Sequence, residues 1–352
     1  MSIEDDLKQV EYEFNHIQKN KATEHYIGNL KARLAKLLAA DTSKKTGGKS
    51  YSVKKQGNAT VVFVGFPSVG KSTLLNALTG AQSKTASYDF TTLIPIPGML
   101  FYRKTKIQLI DAPGIIAGAS KGKGGGKQIL SAARNADLIL ILLDPLKNRL
   151  KIIHDELYAA GLRLDLTPPD VLVKRTDRGG LVIESTVEQE LSEATFKSIL
   201  KEFGYINAEV LLREKLSIDR FIDSLSNNRL YLPSLVVFNK ADSLPGSKLK
   251  RLKRDNPATV FISAEKKQGL EELREAIWKK LDFKRVYLKH PGKEPDFEDP
   301  LIMRGYVNVK RIIKKLKKDY ASAKVWGRYA KHPGQVVSVD HELHDEDIVT
   351  LS

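Results

Sequence analysis

Chemistry enters this sequence at Gly65-Phe66-Pro67-Ser68-Val69-Gly70-Lys71-Ser72, with Thr73 next. Glycines at the first and sixth positions let the backbone curl into a cup lined by its own N–H groups. In such a cup those amides and the N-terminus of the following helix surround phosphate oxygens, a lysine neutralises β- and γ-phosphate charge, and a hydroxyl ligates Mg²⁺. Gly65, Pro67, Ser68, Val69, Gly70, Lys71, Ser72 and Thr73 are the candidate phosphate contacts. The motif needs a strand before it and a helix after it. The apolar run Val61–Val64 and the spacing of Leu74, Leu75 and Leu78 predict both.

The base is read elsewhere. Asn239-Lys240-Ala241-Asp242 closes the apolar run Leu235–Phe238. A carboxylate there can accept together from the N1–H and the exocyclic amine of guanine, a donor pair that adenine lacks, so Asp242 selects guanine. Four such residues alone are usually a solvated turn, and the phosphate loop upstream gives them weight. Ser263-Ala264-Glu265 follows Val260–Ile262, where a backbone N–H can meet the guanine carbonyl. Asp111-Ala112-Pro113-Gly114 follows Ile107–Ile110. Asp111 would hold Mg²⁺ through water, and the Gly114 N–H would reach the γ-phosphate only when it is present. Between these motifs, Phe90-Thr91-Thr92-Leu93 offers Thr92 as a second side-chain ligand to Mg²⁺; without its company it would be a strand threonine. The catalytic candidates are therefore Lys71, Thr92 and Gly114, and the metal candidates Ser72, Thr92 and Asp111.

Elements must bring these residues together. Val61–Val64, Ile107–Ile110, Leu138–Leu143, Leu235–Phe238 and Val260–Ile262 show little polar alternation, as strands buried on both faces of a largely parallel sheet do. Helical stretches separate them, among them Gln268–Leu281, and the alternation predicts a doubly wound α/β domain. The interval from Asp144 to Asn239 is too long for one crossover. Within it Val171–Val173 and Leu181–Ile183 flank a Thr-Asp-Arg-Gly-Gly turn and read as a hairpin. Thr186 with Gln189 reads as a capping box opening a helix that Gly204 ends, and Ser217–Leu225 as another short helix. Upstream, Val10, Phe14 and Ile17, then Ile27, Leu30, Leu34, Leu37 and Leu38, predict two helices with a turn at Asn20–Thr23. A hairpin of that size cannot stand alone and must dock on something. At the other end, Arg285–Pro291 and Pro300–Tyr306 read as strands, Val309 to Tyr320 as a helix, and the remainder as short strands and turns. The expected division is 1–56, a helical region and linker; 57–160 with 231–282, the α/β domain; 161–230, an α+β insertion; and 283–352, a small β-rich domain.

Composition narrows the classes. The 352 residues carry 58 Lys+Arg against 42 Asp+Glu, a formal net charge of +16, and no cysteine. Disulfide frameworks, thiolate metal sites and a cysteine nucleophile are excluded. No apolar run approaches the roughly 20 residues of a membrane span, and the N-terminus lacks a signal-peptide core, so the chain reads as soluble and cytoplasmic. Residues 283–332 hold 14 basic against 5 acidic side chains, whereas 333–352 hold 5 acidic and no Lys or Arg. Such an excess fits either a phosphate-backbone footprint, with Lys310, Arg311, Lys314, Lys315, Lys317 and Lys318 at its centre, or a solvated face. Trp326 and Tyr329 could stack on bases or close a small core. His290, His332, His341 and His344 form no persuasive metal constellation.

The wording of the motifs is narrower than their class. The stretches beginning at Gly65, Tyr88 and Asp111, with Asn239–Asp242, resemble the Obg branch of P-loop GTPases. With the N-terminal helices, the insertion and the basic C-terminus, the whole chain resembles the developmentally regulated GTP-binding protein family. That resemblance implies that the insertion is S5D2-like, that the C-terminus is a ubiquitin-like β-grasp TGS domain, and that the role is cytoplasmic and linked to translation. It also implies ribosomes and a regulatory protein of the same family as partners, and K⁺ beside the phosphates. Many K⁺-dependent relatives carry Asn where this chain has Ser68. After Gly114 comes Ile115, where Ras-like GTPases place a water-orienting glutamine. Isoleucine cannot hydrogen-bond water, so a slow intrinsic rate is expected. Two further readings stand beside a GTP-hydrolysing switch: a GTP-loaded binding module with incidental hydrolysis, and a small-molecule kinase, against which Asn239–Asp242 and Asp111–Gly114 argue. The segment Gly118–Lys127, with five glycines and three lysines, reads as a second switch.

Overall fold

The computed structural model describes residues 3–18, 20–43, 55–79, 96–111, 131–147, 149–317 and 320–352. Phe90, Thr91, Thr92, Gly114, Ile115, the segment Gly118–Lys127 and Lys318 lie outside them. The chain divides into two compact units, residues 1–49 with 161–231 and residues 50–160 with 232–352.

The first unit opens with α1 (Ile3–His16) and α2 (Glu24–Ser43). Asn20 turns the chain between them, its side chain accepting from the Thr23 N–H while Thr23 answers the Asn20 N–H, a reciprocal cap. In the second unit β1 (Ala59–Val64) leads to α3 (Lys71–Thr79), β2 (Ile96–Tyr102), β3 (Thr105–Asp111), β4 (Leu138–Leu143) and α4 (Leu150–Ala159). The chain then returns to the first unit with β5 (Leu162–Leu164), β6 (Val171–Arg175), β7 (Leu181–Ser185), α5 (Glu193–Glu202), β8 (Ala208–Leu212), α6 (Ile218–Leu225) and β9 (Leu230–Leu232). It completes the second with β10 (Ser234–Phe238), α7 (Gly246–Asp255), β11 (Val260–Phe261), α8 (Leu270–Lys280), β12 (Phe283–Leu288), β13 (Leu301–Arg304), α9 (Val309–Leu316), β14 (Ala323–Trp326), β15 (Gln335–Val337) and β16 (Ile348–Leu351).

Six described strands build the central sheet in the order β11-β10-β4-β1-β3-β2. All are parallel except β2, which runs antiparallel to β3 at one edge. Every residue of β1 and β4 is buried, as their unbroken apolar runs require of central parallel strands. Leu74, Leu75 and Leu78 of α3 and Leu270, Leu273, Ile277 and Trp278 of α8 pack into one core with Val61, Phe63, Leu140 and Leu142. Parallel strands put the C-terminal ends of β1, β3, β4, β10 and β11 on one rim, and the loops that follow them carry the motifs.

The C-terminal sheet has the order β13-β12-β16-β14-β15, with β12 and β16 parallel and the other pairs antiparallel. Val309 and Ile312 of α9 enter its core with Val286, Ala323, Val325 and Val349. The helix is shorter than the pattern to Tyr320 predicted: Lys317 takes φ +52°, a left-handed residue that ends it at Leu316.

Two expectations for the insertion are corrected. The strands β6 and β7 form no hairpin: β8 lies between them, antiparallel to β6 and parallel to β7. A tight turn does join them, with Gly179 and Gly180 at φ +105° and +71°, but β8 fills the gap between them. The helix does not open at Thr186. Gln189 donates to Ser185 Oγ and the Glu214 carbonyl and accepts from the Leu216 N–H, tying two loops together. Ser192 caps α5 instead, accepting from the Thr195 N–H, and Gly204 at φ +79° follows its end. The N-terminal hairpin docks within its own unit: Ala32 and Ala35 of α2 join Phe196, Ile199 and Leu200 of α5 and Phe221 and Ile222 of α6 in one core. Gly28 permits the approach, since a Cβ there would lie 3.3 Å from Ile199 and Thr195.

Candidate nucleotide site

Between β1 and α3 the loop turns on Ser68, at φ +60°, and Gly70, at φ +91°. A Cβ on Gly70 would lie 2.4 Å from Asn239 Nδ2, and one on Gly65 would lie 2.5 Å from the Leu142 carbonyl. Conformation and space both demand glycine at Gly70. Lys71 folds its ammonium back to the loop carbonyls of Gly65 at 3.3 Å and Phe66 at 3.2 Å. Burial pushes the Lys71 pKa down against the opposing pull of the Asp111 charge. Burial likewise raises the Asp111 pKa, against a hydrogen bond from Ser72 and the Lys71 charge. Ser72 Oγ donates to Asp111 Oδ2 at 2.6 Å, while Asp111 Oδ1 is buried with no hydrogen-bond partner among the described residues. A lone oxygen acceptor beside a hydroxyl is a donor set for a hard divalent cation, and Ser72 and Asp111 fit Mg²⁺.

Asn239 is the hub of the rim. It is buried; its Nδ2 donates to the Val69 carbonyl at 2.9 Å, its Oδ1 accepts from the Ala264 N–H at 2.9 Å, and its backbone N–H reaches Leu143. One amide thus joins the phosphate loop to the loop after β11. Lys240, in the left-handed region at φ +59°, donates to the Ser68 carbonyl at 2.9 Å and pairs with Asp144 at 3.3 Å. Asp242 pairs with Lys266 at 3.0 Å, and hydrogen bonds from Ser263 and Lys266 hold its carboxyl below the usual carboxylate range. Ser263 is buried and closes a bridge with Gln268 through paired backbone bonds of 3.0 Å. The described residues Gly65, Pro67, Ser68, Val69, Gly70, Lys71, Ser72, Thr73, Asp111, Asn239, Lys240, Asp242, Ser263, Ala264 and Glu265 all fall on this rim or on the loop and helix start that border it.

Among curated proteins, an uncharacterized GTP-binding protein of Methanocaldococcus jannaschii is 48% identical over 100% of this chain and 93% of its own length. The ribosome-interacting GTPase 1 of Saccharomyces cerevisiae is 42% identical, covering 98% of this chain and 97% of its own. The developmentally-regulated GTP-binding protein 2 of Homo sapiens is 40% identical over 100% of this chain and 99% of its own.

The chain belongs to the developmentally regulated GTP-binding protein family.

The family described as a 50S ribosome-binding GTPase matches residues 60–175, the C-terminal region of that domain matches 178–283, and the TGS domain matches 284–352. The α/β sheet is thus a P-loop GTPase domain, and the sheet built on β12 and β16 a TGS domain. As a family member, the chain is a GTP-binding protein. Two residues at its nucleotide rim, Lys266 and Asp144, are absent from the sequence motifs. Lys266 lies 24 positions from the carboxylate it pairs with, and no spacing marks it. Asp144 had a signal: it follows β4 at the same end of the sheet as the motif loops. No group of three or more His, Cys, Asp or Glu among the described residues could hold a metal. No helix among them is long and apolar enough to cross a membrane.

Proposed function

We propose that this GTP-binding protein hydrolyses GTP to GDP and phosphate, slowly on its own, and is a nucleotide-gated switch acting in translation on ribosomes or RNA in the cytoplasm. The observation that carries the reading is the convergence of Lys71, Ser72, Asp111, Asn239 and Asp242 on one rim of the sheet, with a buried carboxylate oxygen beside the Ser72 hydroxyl. Lys71 exchanges two loop carbonyls for β- and γ-phosphate oxygens, which removes the penalty that burial places on its charge. Asp242, held ionised, accepts from the guanine edge, and Ala264, fixed through Asn239, sets the loop beneath the base. Ser72, Thr92 and, through water, Asp111 would hold Mg²⁺, and the ion would supply electrostatic stabilisation of the phosphates. Phe90, Thr91 and Gly114 would complete the γ-phosphate side. K⁺ near Ser68 is the proposed substitute for the missing glutamine. The yeast relative's name supports a ribosomal partner. A regulatory protein of the family is proposed on the earlier resemblance.

Phosphate release from GTP, measured with Na⁺ or K⁺ and with or without ribosomes, tests the reading. Many-fold stimulation by K⁺ or ribosomes is expected. A negligible rate under every condition, with GTP still bound, would establish the alternative of a GTP-dependent scaffold. Co-sedimentation with ribosomes, comparing GDP with a non-hydrolysable analogue, checks the gating; equal binding in both states removes it.

A further inference from the structure

At the seam between the GTPase sheet and the TGS domain lies a cleft of about 470 Å³ that none of the described nucleotide-site residues lines. Asn58, just before β1, forms one wall; Arg304 of β13 and Arg311, Lys314 and Lys315 of α9 form the other, over Phe283 and Met303. None of the described residues lining it is acidic.

The partners of these four cations set how much charge the cleft leaves for a ligand. Arg304 pairs at 2.7 Å with Asp137 and donates to the Leu281 carbonyl. Arg311 donates to the carbonyls of Arg304 and Tyr306, and Lys315 to the carbonyl of Ile302 at 2.5 Å. Lys314 makes no ion pair among the described residues. Among the described residues Arg311 and Lys315 therefore meet only neutral acceptors and Lys314 no acidic one, and burial pushes the Lys315 pKa down. Arg311, Lys314 and Lys315 are exposed, and charge that only backbone carbonyls and water meet stays available to an anion entering the cleft.

We propose that this cleft binds a phosphate group, from an RNA backbone or a free polyphosphate, as a second anion site apart from the nucleotide. It lies before the N-terminus of β1, whereas the phosphate loop follows its C-terminus. Six residues of strand place the two sites about 20 Å apart at opposite ends of the sheet. The Arg311 guanidinium and the two ammonium groups of Lys314 and Lys315 suit the multiple oxygens of phosphate. A phosphate here would tie α9 of the TGS domain to the start of β1. For RNA the inference rests on the proposed action on ribosomes or RNA and gives it a site, whereas it is independent of the proposed hydrolysis.

The test uses the full chain saturated with GDP and Mg²⁺, so that the phosphate loop is filled. Probes are inorganic tripolyphosphate, followed by calorimetry, and a labelled twelve-nucleotide single-stranded RNA, followed by anisotropy. Lys314→Gln and Lys315→Met, singly and together, remove charge; Lys250→Gln on α7 is the control. The double variant is expected to bind about 10- to 100-fold more weakly, and for RNA its log-affinity against log-salt slope should be shallower by about 0.7 per lost contact. Loss of tripolyphosphate binding assigns a free phosphate, and loss confined to RNA assigns its backbone. Absence of binding by both probes, unchanged affinity in the variants, or an equal loss in Lys250→Gln overturns the proposal. Lys314→Gln alone keeps the test valid should Lys315→Met fail to fold. GDP affinity, measured alongside, separates this outcome from failure of the nucleotide reading.

Discussion

Asn239 does two jobs with one amide. Removing it leaves the Val69 carbonyl and the Ala264 N–H without their side-chain partner on a buried rim. Asn239→Ala should therefore cost about 2–4 kcal/mol by thermal unfolding and lower GDP affinity together, since two loops lose their register. Gly70→Ala should do similar damage by another route. The left-handed backbone alone costs about 1–2 kcal/mol, and the added carbon drives into Asn239. Melting curves with and without GDP would show both the lower Tm and the lost shift on ligand addition. Asp242 belongs to chemistry rather than stability. Asp242→Asn exchanges an acceptor for a donor, so GDP binding should weaken about 100-fold or more, with xanthosine diphosphate gaining relative to GDP. Competition with a fluorescent nucleotide reads both numbers.

Elements decide how much of this was legible. The strand–loop–helix from Ala59 to Thr79 and the ends of β3 and β10 could be placed from the sequence because buried parallel strands are nearly pure apolar runs. The short α6 was equally plain, since Ser217 caps it and its apolar face is narrow. The hairpin misreading has a physical cause. Local turn chemistry between Thr176 and Gly180 was correct, but which strand fills the neighbouring slot is a long-range matter, and Ala208–Leu212 carried no mark of its partner. The early helix start had the same origin: Gln189 had the right type for a capping box, and tertiary bonds to Glu214 and Leu216 took it. Nor does spacing reveal the buried ion cluster that holds this unit. Asp223 accepts from Arg163 and, at 2.7 Å, from Arg229, with both Asp223 and Arg163 buried. Asp223→Asn strands two guanidinium groups and should cost about 3–5 kcal/mol in denaturant unfolding, whereas Lys174→Gln on an exposed pair should cost under about 1.

At the scale of the whole molecule, Asp137 joins the TGS domain to the GTPase sheet. Burial works against its charge, but hydrogen bonds from Lys55, Arg304 and the Thr60 N–H outweigh it and hold the carboxyl below the usual range. A depressed folded pKa contributes stability that is present above the unfolded value, about 3.9, and is lost as pH falls through the folded one. Asp137→Asn should cost about 1 kcal/mol at neutral pH, the scale of a partly exposed pair, and the difference from wild type should vanish in acid. Urea unfolding from pH 7 to 3 follows it. The first unit carries a further consequence, in time rather than energy. Its core needs α2 together with α5 and α6, yet roughly 190 residues separate the end of α2 from the end of the insertion. At about 5–20 residues per second, the leading helices wait on the order of 10–40 s during synthesis with their apolar stripe uncovered. The nascent chain is therefore open to chaperones over that interval, and the helical pair, made well before the insertion it packs on, reaches its place only after it.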